Sequence, residues 1–109
     1  MITVRTKKEL KEAINTGHSL ITVEGELANK LEKANKIKEK IPGLKSKYGD
    51  KEPSKAMLIG TLGGIEIAVI LAVIFLGLGL LVHLTKDYDL EVEVKSVPPK
   101  VKLHKRKPS

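Results

Sequence analysis

The stretch MLIGTLGGIEIAVILAVIFLGLGLLVHL, residues 57–84, decides how this chain is read. Glu66 is its only charged side chain. At ~1.5 Å per residue, a helix over this stretch reaches ~42 Å against a hydrocarbon core of ~30 Å. The expectation is one membrane-spanning helix over 57–84, with the N-terminus cytoplasmic because lysines (Lys45, Lys47, Lys51, Lys55) crowd the near N-terminal flank. A re-entrant hairpin bent near Gly77 or Gly79 is the alternative, and it would return the C-terminal residues to the side of the N-terminal ones. More than fifty largely polar residues come first, which excludes a cleavable signal peptide.

Inside the stretch, Gly60, Gly64, Ala68 and Ala72 recur at every fourth position. A row of small residues lets helix backbones approach closely in lipid, so it predicts self-association into a homo-oligomer. Glu66 falls roughly opposite that row. An intramembrane carboxylate is costly to keep, and it either lines a polar path, pairs with another subunit or snorkels to the interface. His83 reads as an interfacial residue.

Upstream, Ile2 and Val4 alternate with polar residues as a half-buried strand does. Thr6-Lys7-Lys8-Glu9 has the spacing of a capping box, which opens a helix with Leu10, Ala13 and Ile14 on its apolar face. Gly17 sits where a left-handed cap closes that helix. Leu20–Val23 is a second strand, and Leu27, Leu31, Ala34, Ile37 and Ile41 give helical spacing up to Pro42-Gly43. Lys30 and Lys38 project into this last apolar stripe. Residues 1–43 therefore read as a strand-helix-strand-helix domain with a parallel strand pair joined by a crossover. Residues 44–56 read as a linker.

After the apolar stretch, residues 85–109 form a tail. Leu90, Val92 and Val94 alternate with Glu91, Glu93 and Lys95, so a β-strand is expected near 89–95. Pro98-Pro99 ends it, and Val101 with Leu103 starts a further extended piece before Lys105-Arg106-Lys107. Two N-terminal strands are marginal alone, so the tail strand completes the sheet, in its own chain or by pairing with a protein partner. The fold class is α+β: a small N-terminal domain, one transmembrane helix and a short C-terminal strand.

Composition narrows the function. The net charge is +7, with both flanks of the apolar stretch basic, which points to anionic lipid headgroups as the partner and away from nucleic acid. Tyr48, Phe75 and Tyr88 are the three aromatic residues, and with no Trp a base-stacking platform is not available. Zero cysteines exclude disulfides, thiolate nucleophiles and Cys-ligated zinc. His18, His83 and His104 are scattered and match no metal-ligand spacing. No catalytic, metal or cofactor residues are assigned, and an enzyme is not expected. The functional expectation is a small single-pass membrane protein that self-assembles through its helix, either forming a pore or permeabilising the membrane. An accessory or anchor subunit of a larger membrane complex is the alternative.

Overall fold

The computed structural model describes residues 1–93, 95 and 99–106. β1 (Ile2–Val4) leads through α1 (Lys7–Thr16) to β2 (Leu20–Val23), and β1 and β2 pair in parallel. Both expected signals are met at α1. The Thr6 hydroxyl accepts from the Glu9 N–H at 3.1 Å while the Glu9 carboxylate accepts from the Thr6 N–H, and Gly17 closes the helix at φ 84°.

α2 (Glu26–Asn35) ends sooner than its apolar period suggests. A 3-10 turn at Lys38–Lys40 intervenes, and α3 (Ile41–Tyr48) starts there with Pro42 in its first turn. A proline is tolerated at that position because its missing N–H would have no helical partner anyway. Lys38 accordingly leaves the buried stripe and is exposed, while Ile37, Ile41 and Leu44 are buried.

The apolar stretch is not one helix. It forms most of α4 (Lys55–Leu62), α5 (Ile67–Leu76) and α6 (Leu78–Asp87). Gly63 at φ 58° and Gly77 at φ 86° break it, and α5 and α6 meet at a bend of 89°. Among the described residues no single helix is long and apolar enough to cross a membrane. Leu58, Val69, Ile70, Val73, Leu76, Leu78, Leu81 and Leu84 are instead buried inside the protein. A helix that is apolar all round can lie in a protein core as well as in lipid, and here α5 packs against α2, whose buried face is Leu27, Ala28, Leu31 and Ala34.

This corrects several expectations together. The single-pass transmembrane helix over 57–84 and the integral membrane placement with a cytoplasmic N-terminus have no spanning helix to rest on. Pore formation and assembly through a membrane helix fall with it, as does anchoring to a larger membrane complex. A bilayer with anionic headgroups is likewise not the partner that this fold is built around. The hairpin alternative set a bend near Gly77 or Gly79; the break is at Gly77, but it belongs to a protein core.

The tail supplies two strands, β3 (Tyr88–Glu93) and β4 (Lys100–Lys105), and the sheet order is β1-β2-β4-β3. β4 runs antiparallel to both neighbours, so the chain completes its own sheet and needs no partner strand for that purpose. Val94, Pro98 and Lys107, named in the strand and tail readings, lie outside the described residues. Two rows cross the inner face in register: Ile2, Ile21, Leu103 and Leu90, then Val4, Val23, Val101 and Val92. These rows face the helices.

The opposite face of the sheet is polar. Asp89, Glu91 and Glu93 on β3 stand beside Lys100, Lys102 and His104 on β4. The ion pairs run diagonally: Asp89 to Arg106 at 2.8 Å, Glu91 to His104 at 3.0 Å and Glu93 to Lys102 at 3.4 Å. Lys100 turns the other way, to Glu24 at 3.2 Å, which also takes Arg5 at 3.2 Å. These pairs are solvent-accessible, so each is worth little alone, and their value lies in fixing register.

Two predictions follow from these elements. Gly77 combines φ 86° with ψ 142°, a region almost closed to residues with a Cβ, so Gly77→Ala lowers stability by about 1–3 kcal/mol in urea unfolding. An unchanged midpoint would contradict the bend described here. Lys100 first, and Arg5 second, hold the Glu24 carboxyl below its ordinary value of 4.5. A carboxyl depressed in the folded state stabilises fully above its unfolded value and loses that contribution as pH falls through the folded one. Glu24→Gln is therefore less stable than wild type at pH 7, and the difference in thermal midpoint closes as pH drops below 4.5. A difference that persists in acid would remove the ionic explanation.

Candidate functional site

The residues first singled out do not gather into one site. Gly60 lies on α4 and Gly64 in the break before α5, both exposed, while Ala68 is exposed on α5 and Ala72 is fully buried on the same helix. The four-residue rhythm thus crosses two helices and two environments. Glu66 is the N-terminal cap residue of α5, with its side chain 68% exposed and 4.0 Å from Lys36. Ile67, Leu71, Ile74 and Phe75 form an exposed apolar face on α5.

A different place has the form of a binding site. A pocket of about 440 Å³ opens between the end of α2, the start of α3, the end of α6 and β3. Its apolar lining comes from Leu31, Ile41, Pro42, Leu81, Leu84 and Leu90. Asn35, Lys38 and Glu39 stand on one side of its polar rim, with Thr85, Lys86, Asp89 and Arg106 on the other. This size and this mixture of an apolar lining with a few polar groups are usual for ligand sites.

Local structure explains the pocket. α6 passes into β3 at Tyr88 without a loop, because the Tyr88 N–H still bonds the Leu84 carbonyl while its own backbone is already extended. β3 is thereby held at the sheet edge directly above the helix end. On the other wall, the 3-10 turn that shortens α2 sets Lys38 and Glu39 back from the core.

Arg106 closes the end of the pocket. Its Nε donates to the Asp89 carboxylate at 2.8 Å, its Nη1 to the Lys86 carbonyl at 3.3 Å and its backbone N–H to the Asp87 carbonyl at 2.8 Å. Tyr88 is 3% exposed and lines the pocket. Among the described residues its hydroxyl makes no hydrogen bond, and no unpaired side-chain polar atom is sealed in the interior. Burial first, and Asp87 second, push the phenol above its ordinary value, keeping it a neutral donor.

The titratable neighbours do not form a reaction centre with the pocket. His104 is on the polar sheet face with Glu91, and His83 pairs with Asp87 at 3.4 Å on the exposed side of α6. Among the described residues no three His, Cys, Asp or Glu side chains lie where they could share a metal ion. The arrangement can enclose an apolar group, donate a hydrogen bond from Tyr88 and present charge at its mouth.

Sequence reading did not find this site. Leu81, Leu84 and Tyr88 continue at helical intervals beyond the supposed membrane boundary at Leu84, and that continuation was the available signal.

No curated protein and no solved structure matches this chain. A family model does match it, over residues 3–43 and 50–106, which include every residue lining the pocket. The chain belongs to the family described as Uncharacterised protein PM1101.

Proposed function

We propose that this protein is a non-catalytic recognition domain that binds its partner by taking an apolar group into the pocket between α2, α3, α6 and β3. The observation that carries this reading is a recess of about 440 Å³ with an apolar lining, to which the side chain of Tyr88 also belongs. Burying one aliphatic or aromatic side chain there contributes about 1.5–3 kcal/mol, enough to anchor a contact whose rim supplies orientation. The rim is mixed in sign, with Lys38, Lys86 and Arg106 against Glu39 and Asp89. At the anchor itself such a rim suits a polar backbone better than a charged group.

The exposed apolar face of α5 competes as a binding surface, and the test separates the two. Small aromatic fragments titrated into the protein should shift the NMR signals of Leu31, Leu84 and Leu90, with dissociation constants on the order of 1 mM. Leu90→Trp places a bulky ring at the mouth and should weaken fragment binding by about tenfold or more while preserving the spectrum of the remaining core. Shifts confined to Ile67, Leu71 and Phe75, unaffected by Leu90→Trp, would move the function to α5 and overturn this reading.

A further inference from the structure

The pocket lies beside an unpaired strand edge, and the phase of that edge is fixed. Arg106 donates its N–H to the Asp87 carbonyl at 2.8 Å, and Lys105 donates its N–H to the Ser19 carbonyl at 2.9 Å. In an antiparallel ladder bonded pairs alternate, so Asp89, Glu91 and Glu93 direct their backbone groups toward β4. Leu90 and Val92 direct theirs outward. Among the described residues no group pairs with the N–H or carbonyl of either. β1, the other edge, is three residues long and contributes no residue to the pocket described above.

We propose that β3 accepts an extended peptide segment as a fifth, antiparallel strand, with its apolar side chains alternating with basic ones. This rests on the reading of the pocket as the binding site and names the class of partner. In an antiparallel pair, a residue opposite Leu90 or Val92 exchanges both backbone bonds with it and projects its side chain to the same face of the sheet. For Leu90 that face is the inner one, where the pocket lies. The partner's apolar residues therefore supply both the backbone bonds and the anchor.

Its intervening side chains fall on the polar face, next to Asp89, Glu91 and Glu93. The chain already shows which chemistry fits beside that acidic row. β4 meets it from the other side with Lys100, Lys102 and His104, and with Val101 and Leu103 turned inward. A basic and apolar alternation on the open side repeats that arrangement, and an acidic one would place like charges opposite each other.

The probe is a seven-residue peptide, acetylated and amidated, alternating lysine with valine and leucine, titrated into the full chain and followed by NMR. Binding should shift the Leu90 and Val92 amide signals and slow their hydrogen exchange. Methylating the backbone nitrogens of the valines and leucines removes the donors that face β3 and should weaken binding by about tenfold or more. Methylating the lysine nitrogens should change it by less than about threefold. Val92→Pro deletes an outward N–H that makes no bond to β4, so it should weaken the peptide while the β4 signals are retained.

Equal binding of both methylated peptides would overturn strand addition, and loss caused by the lysine-methylated peptide alone would overturn the antiparallel register. A glutamate version that binds as well as the lysine version would overturn the basic partner. If aromatic fragments occupy the pocket and no alternating peptide binds, the inference fails while the recognition reading stands. If neither binds, both fail.

Discussion

β4 is the element on which the rest of the structure depends. It lies between β2 and β3, spends its backbone groups alternately on the two neighbours, and buries Val101 and Leu103 completely. Without it, the parallel pair β1 and β2 would be a two-stranded sheet, too small to be stable alone. β3 would then be a lone strand at the end of α6. The two apolar rows that cross the sheet exist only because a strand from the end of the chain joins a unit from its beginning. α2, against which α5 of the apolar stretch packs, rests on β4 for the same reason.

From that constraint the pocket follows. With β4 in the centre, β3 must lie at the edge, and its direct junction with α6 brings the end of that helix beneath the edge strand. Gly77 sets the direction of α6 through its 89° bend, and α3 packs against the same helix. The recess is the space that these elements leave. Its shape is thus tied to Gly77 and to the short connection at Tyr88 as closely as to the side chains that line it.

Local features were legible from sequence. Thr6 and Glu9 identified a helix start, Gly17 its end, and Leu90 with Val92 a strand, because each depends on neighbours within a few positions. The medium around residues 57–84 was not legible. Hydropathy reports that a side chain avoids water and does not say whether lipid or protein replaces it. Gly63 and Gly77 were visible as glycines, but glycine is common in membrane helices, and only their positive φ angles reveal the breaks. The alternation of Val101 with Leu103 showed a short extended piece, while its place in the middle of the sheet depended on residues about 80 positions away. The row from Gly60 to Ala72 lost its meaning for a related reason, since a period counts along one helix and the chain leaves that helix at Gly63. The pocket draws on four separate elements, and no window of sequence contains it.

The central position of β4 also orders events during synthesis. A ribosome releases the chain from its N-terminus, so the most apolar segment of the protein emerges before the strand that completes the sheet. Until residues 100–105 are available, α2, against which α5 packs, lacks the strand it rests on, and to the machinery that sorts nascent chains the apolar segment carries the hydropathy of a membrane span. Native contacts between β2 and β4 join distant parts of the sequence, which slows folding. This protein therefore passes through an interval in which rapid closure of the sheet, or shelter by a chaperone, decides whether its core forms or aggregates.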